Sequence, residues 1–218
     1  MAPLLNLDPD QLLTTTRSVR KRLDLERPVE REVLEECLDV ALQAPTGSNN
    51  QGWQWVFVTD PEKKQFIADR YNDTFRLYVQ QQGAQYAEGD TRADRAEKVR
   101  DSAIYLADHL HEVPVMLIPC HMGRVDGQPG AAQAGYWGSI LPAVWSYMLA
   151  LRARGLGSAW TTLHLPKERE VAELLGIPYD RVTQAGLFPI AYTKGTDFKV
   201  APRIPGREVS HWDAWGTR

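Results

Sequence analysis

Apolar positions along this chain follow two kinds of spacing. Over residues 30–43 they recur at Val33, Leu34, Cys37, Leu38, Ala41 and Leu42, the stripe of an amphipathic helix. The helix is expected to end at Ala44-Pro45, because a residue before proline leaves the helical region. Asp60-Pro61 opens a second helical pattern over residues 62–82, carrying Phe66, Ile67, Tyr71, Phe75, Leu77, Tyr78 and Val79. Asp8 followed by Pro9 predicts the cap and first position of a shorter helix through Leu12 and Leu13. Continuous apolar runs predict buried strands at residues 53–59 (WQWVFVT), 113–120 (VPVMLIPC) and 182–192 (VTQAGLFPIAY). The prolines of the second run favour a sheet edge or the strand ends. Gly155 to Leu163, GLGSAWTTL, reads as a glycine-marked turn into a further strand. Pro166 starts a short helix over residues 167–175, stopped by Gly176.

Two stretches fit neither spacing. Residues 83–102 are highly charged and contain Gly83 and Gly89. They predict a solvated connection or a mobile cover, with a second helix then running to about Leu110. Residues 131–154 are apolar all round, and residues 134–151 carry no charge over 18 positions. That is the lower limit for a membrane span. Gly138, Ser139, Pro142 and Ser146 inside the run, and a mean hydropathy of -0.40, favour a helix at the centre of a soluble core or a subunit interface. Arg152, Arg154 and Gly155 close it. From Thr193 the last 26 residues lack periodicity. A structureless tail of that length lies on something or is disordered, and Trp212 and Trp215 favour an extension over a partner subunit.

Composition narrows the classes. The 218 residues suffice for one compact domain or two small ones. A net charge of -3 gives no overall basic balance for nucleic acid or an anionic membrane. Cys37 and Cys120 lie far apart without a CxxC pattern, which predicts free thiols in a reducing, cytoplasmic setting. The first twenty residues hold Asp8, Asp10, Arg17 and Arg20 and no apolar core of a signal peptide. His109 and His111 face different ways on a helix, and His121 beside Cys120 is short of partners, so no metal site is expected.

Candidate chemistry sits in two places. APTGSNNQGWQW, residues 44–55, packs Pro45, Thr46, Gly47, Ser48, Asn49, Asn50, Gln51 and Gly52 ahead of two tryptophans, with no charge. Neutral amides and hydroxyls beside indoles suit a planar ligand with a polar edge; an ordinary helix-to-strand loop is the alternative. Residues 16–22, TRSVRKR, hold four cations and a hydroxyl. Arg17, Ser18 and Arg20 can converge on a phosphate through guanidinium forks and an O–H bond; a solvated basic turn is the alternative. A nucleic-acid patch ranks below both, because Asp24, Glu26, Glu30, Glu32, Glu35 and Glu36 follow at once. GLGSAW is not GxGxxG opening a helix, so the dinucleotide fingerprint is absent.

RSVR near the start, APTGSNNQGW after the first main helix, GLGSAWTTL after the long helix and a late Pro202-Arg203 stand in an order that resembles the FMN-dependent nitroreductase family over nearly the whole chain. The resemblance implies a single α+β domain over residues 1–218. Its fold would be a sandwich with a central, mostly antiparallel sheet flanked by helices and a C-terminal extension onto the partner subunit. It implies an intertwined homodimer with FMN at the interface. Arg17, Ser18 and Arg20 would hold the ribityl phosphate and the pyrimidine edge, with Arg203 on the phosphate and Lys199 near. Pro45, Thr46, Gly47, Ser48 and Asn49 would line the partner's flavin, with Gln51 in support. Trp160, Thr161, Thr162 and Leu163 would run along the ring. The chain departs from the family pattern at Gly52, where proline is usual, and at Thr162, where some members carry an acid.

The implied activity is reduction of small acceptors such as nitroaromatics or quinones by NADH or NADPH in a ping-pong scheme. No protein acid or base is assigned, and no residue separates NADH from NADPH. Sequestration of the flavin without fast turnover is the alternative from another class.

Overall fold

The computed structural model describes residues 3–80 and 93–218, apart from the side chain of Asp94. Helix α1 (Pro9–Thr15) begins as predicted: the Asp8 carboxylate accepts from Gln11 N at 2.7 Å and the Gln11 side chain accepts from Asp8 N at 3.1 Å, a reciprocal cap. Helix α2 (Arg31–Ala41) buries Val33, Leu34, Cys37 and Ala41, the stripe read from the spacing. Strand β1 (Trp53–Val58) and helix α3 (Pro61–Gln80) follow.

Helix α4 (Ala93–Asp108) corrects one expectation. The second half of the supposed connection is already helical; residues 83–92 lie outside the described residues. Ala93 to Ser102 contains no Gly or Pro. Its charge marks a solvated helix face, since a polar helix side is as good at facing water as a loop.

Strand β2 (Val115–Met122) is the spine of the sheet. Helix α5 (Gly130–Ala153), strand β3 (Leu156–Ser158), helix α6 (Glu168–Leu175), strands β4 (Val182–Gln184) and β5 (Phe188–Tyr192), and the short helix α7 (Gly206–Val209) complete the order. The strands run β1-β2-β5-β3 with β4 also beside β2, every pair antiparallel. The fold is the α+β sandwich expected.

Three strand expectations are revised. β2 is central, although it contains Pro119. Pro119 accepts at its carbonyl from Ala185 N at 2.8 Å. In an antiparallel ladder a residue's two polar groups face one side, so its missing N–H faces the gap between β4 and β5. The run 182–192 is accordingly two strands, parted at residues 185–187. The β2 ladder also starts later than predicted: Lys64 Nζ donates to the Val113 carbonyl at 2.6 Å, and pairing begins at Val115.

Alternation along the strands builds two cores. Val115 and Leu117 of β2, Phe188 and Ile190 of β5 and Trp53 of β1 face α2 and α5. Met116, Ile118 and Cys120 face the α3, α4 and α6 side with Ile67, Leu106 and Val171. Tyr147 of α5 is 1% exposed and donates to Leu34 O across to α2 at 3.4 Å; burying a ring of this kind contributes about 2 kcal/mol. Cys37 and Cys120 are free and buried, and burial pushes their thiols up to about 11 and about 12. α5 is two-sided. Ile140, Ala143, Val144, Tyr147 and Leu151 are buried, whereas Ala131, Ala134, Gly135, Gly138 and Trp145 are exposed. Among the described residues no helix is long and apolar enough to cross a membrane.

Candidate functional site

The basic arm is laid against β3. Val19 N donates to Ser158 O at 2.8 Å and Ser18 pairs in parallel with Ser158. A side chain at Gly157 would meet Val19 Cβ at 2.9 Å and Thr193 Cγ2 at 2.7 Å, so only glycine lets the arm and the tail approach the strand so closely. The start of the tail runs beside the arm: Lys194 N donates to Arg22 O at 2.8 Å and Asp24 N to Tyr192 O at 2.8 Å. Val19 is buried while Ser18 is exposed, so alternation along the arm turns Ser18 away from the core.

Three guanidiniums converge there. Burial, then the charges of Arg203 and Arg95, hold the Arg17 pKa below its ordinary value. No carboxylate of the described residues pairs with Arg17 or Arg203. Arg20 NH1 lies 3.5 Å from Ser102 Oγ. The arm thus brings Arg17 within reach of the charges of Arg203 and Arg95 and places Arg20, three residues on, at α4, which adds Arg95 and Ser102 to the group. Those two were not anticipated, because α4 shows no phosphate-binding signal in the sequence and its first half was read as a connection.

The loop after α2 forms a single 3-10 turn, Gly47–Asn49. Ser48, Asn49 and Gln51 take φ of 53°, 54° and 49°, left-handed values that cost non-glycine residues free energy and concentrate at functional sites. Asn49 Oδ1 accepts from Gln51 Nε2 at 2.9 Å, and Thr46 Oγ1 accepts from Gln51 N at 3.3 Å. The loop docks on α5 where Gly47 N donates to Ser139 Oγ at 3.0 Å. Pro45, Gly47, Ser48, Asn49 and Gln51 are exposed. Among the described residues no hydrogen bond or ion pair joins this loop to the arginine group.

Gly52, the departure from the family pattern, has a structural reason. A Cβ there would lie 3.1 Å from His121 Cε1 and 3.2 Å from Nε2. The His121 ring fills the space that a proline would need. Its Nδ1 faces Met122 O at 3.0 Å and therefore carries the proton; Nε2 is buried without a partner among the described residues. Burial lowers the His121 pKa, against the opposing bond to Met122 O.

The segment after β3 divides its roles. Trp160 packs at a tilt of 52° against Phe188, with centroids 5.2 Å apart. Thr161 is buried and donates its hydroxyl to Leu187 O at 2.7 Å; that hydroxyl proton is committed to the fold. Thr162 is exposed and Leu163 half-buried. Behind them His164 is fully buried, its Nε2 3.1 Å from Gln184 Oε1. Gln184 N and Nε2 donate to Glu168 Oε1 and Glu168 O, and Glu168 receives both ends of the Arg124 fork at 3.0 and 3.1 Å. This chain of polar contacts ties the segment to α6, β4 and the loop after β2.

A model of the Nitroreductase family matches residues 13–192, and the chain belongs to that family. Protein DrgA of Synechocystis sp. is 27% identical over 179 residues, 80% of this chain and 79% of that protein. Among solved structures, oxidized iodotyrosine deiodinase bound to FMN and 3-iodo-L-tyrosine superposes with a TM-score of 0.66 at 26% identity, over 89% of this chain and 94% of that one. The FMN- and NADPH-dependent nitroreductase NfnB from Sphigopyxis sp. strain HMH gives a TM-score of 0.66 at 25% identity, over 96% and 100%.

Proposed function

We propose that this protein is an FMN-dependent oxidoreductase. It uses NADH or NADPH to reduce small organic acceptors, nitroaromatics or quinones among them, as a cytoplasmic homodimer of single-domain subunits. The observation that carries the reading is the convergence of Arg17, Arg95 and Arg203 beside Ser18 and Arg20 with no carboxylate of the described residues on Arg17 or Arg203. Clustered guanidiniums repel one another, and a phosphate relieves that repulsion through charge-assisted bonds. The relatives support FMN as its source: NfnB is FMN- and NADPH-dependent, and the deiodinase structure holds FMN.

The residues present suit that cofactor. Arg17, Ser18, Arg20 and Arg203 would bind the phosphate. The exposed Ser48, Asn49 and Gln51, held in left-handed geometry, would meet the polar edge of the ring in the partner subunit, with Pro45, Thr46 and Gly47 in its wall. Trp160, Thr162 and Leu163 would border the ring and exclude water; Thr161 would support them from below. When bound, FMN supplies hydride chemistry between the nicotinamide and the acceptor. No side chain of this chain is assigned as proton donor. The exposed small and apolar side of α5, with Gly135 and Gly138 open to solvent, and the exposed Trp212 and Trp215 of the tail support the dimer.

Purified protein should carry the visible flavin band and lose it anaerobically with NADH or NADPH. Turnover with a panel of nitroaromatic, quinone and halogenated tyrosine acceptors then identifies the reaction. Colourless protein that stays colourless with added FMN would refute the proposal, and a flavin band that neither nicotinamide bleaches would point to sequestration.

A further inference from the structure

Arg152 is a buried cation that the functional reading leaves unused. It is 4% exposed, and its Nε and NH1 have no hydrogen-bond partner among the described residues. NH2 donates to Thr15 Oγ1 at 3.3 Å and to Thr196 O at 3.0 Å. No carboxylate of the described residues pairs with it. Instead its guanidinium carbon lies over the Phe198 ring, 4.9 Å from the centroid. A second guanidinium, Arg22, lies over the same ring at 4.3 Å. Burial, then the charge of Arg22, lower the Arg152 pKa. Arg22 also donates from Nε to Lys194 O at 2.9 Å and from NH2 to Asp197 Oδ1 at 2.6 Å.

Burying an uncompensated guanidinium is costly, and a second guanidinium on the same ring adds charge repulsion. The π-face of Phe198 attracts both, and what the arrangement accomplishes is positional. Thr15 lies two residues before Arg17, and Arg22 two after Arg20. Thr196 and Phe198 open the tail that reaches Arg203 five residues later. The three side chains therefore pin the N-terminal arm and the tail together immediately outside the arginine group, within the reach of a few extended residues.

We propose that Arg22, Phe198 and Arg152 form a clamp that positions the arm and the tail so that Arg17, Arg20 and Arg203 reach one phosphate. The clamp touches no ligand itself. It is a positioning device specific to the phosphate end, and it rests on the FMN reading above.

Riboflavin, which has the same ring system without the phosphate, separates this role from general stability. Affinities of the full-length protein for FMN and riboflavin are measured by flavin fluorescence in the wild type, Phe198→Leu, Phe198→Trp and Arg22→Lys. Phe198→Leu keeps an apolar side chain but no π-face, and should weaken FMN about tenfold while leaving riboflavin unchanged. Phe198→Trp should restore FMN binding. Arg22→Lys keeps the charge without the planar fork. It lies at a partly exposed position and decides the matter should Phe198→Leu fail to fold; it should weaken FMN about threefold, again sparing riboflavin. Equal loss of both flavins in these variants, no loss of FMN, or failure of Phe198→Trp to restore it would overturn the clamp. Wild type binding FMN with unchanged variants overturns the clamp alone; wild type binding neither flavin overturns the clamp and the FMN reading together.

Discussion

His164 makes the acid stability of this protein predictable. Burial lowers its pKa from 6.5 to about 4, against the smaller opposing bond to Gln184. Gln184 Oε1 accepts from Nε2–H, which leaves Nδ1 as a buried lone pair without a partner among the described residues. Protonation there would bury a charge whose new N–H finds no acceptor among the described residues. The unfolded chain takes up this proton near pH 6.5, the folded chain only near pH 4. Between those values the unfolded state binds more protons, so the contribution of His164 falls as pH drops through the window and levels off below it. The gap corresponds to about 3 kcal/mol. His164→Gln keeps a donor toward Gln184 and does not titrate in this range. Urea unfolding of both proteins, followed from neutral pH down to about pH 4, isolates the effect because the carboxylates titrate in both and cancel. The stability of wild type relative to the variant should fall by about 3 kcal/mol over that span. Parallel pH profiles would refute the assignment of a buried neutral ring. The functional consequence follows from position: His164 backs Trp160 to Leu163, so acid should disorganise that wall before the rest of the sheet.

Arg20→Ala should weaken FMN retention by about 10- to 100-fold, the range for a lost charge-assisted bond, with a much smaller change in thermal midpoint; equal flavin occupancy after desalting would remove Arg20 from the phosphate site. Deleting residues 199–218 removes Arg203, Trp212 and Trp215, and should both loosen the dimer and lower flavin content. Sedimentation and absorbance on the truncated protein check this, and an unchanged, flavin-loaded dimer would count against a tail that wraps the partner.

The elements legible in the sequence were those whose signal is local. The stripe of α2, the Asp8–Pro9 start of α1 and the stop at Gly155 depend on neighbours a few residues away, and each stands where the spacing put it. The alternation of β1 and β2 assigns side chains to the two faces of the sheet as the strand period requires. The loop at residues 44–55 was conspicuous for the same reason: its neutral polar composition is concentrated in one stretch. Its left-handed Ser48 and Gln51 were not visible, since of the loop's three non-glycine residues at positive φ only asparagine, here Asn49, is a type whose presence suggests it.

What only the tertiary structure decided depends on partners far along the chain. Pro119 reads as an edge signal until the break between β4 and β5 is seen to face it. Gly52 reads only as a departure from the family's proline until His121, 69 residues later, is found in the space above it. Arg95 joins Arg17, and Arg152 joins Arg22 over Phe198, across separations that no periodicity encodes. Local sequence determined the helices, the strand faces and the stretches rich in binding chemistry, because backbone sterics and amphipathic spacing act over one or two turns. Which cations meet, which hydroxyl is committed to the fold and which histidine stays neutral were decided by packing, because burial and charge proximity are properties of the folded chain.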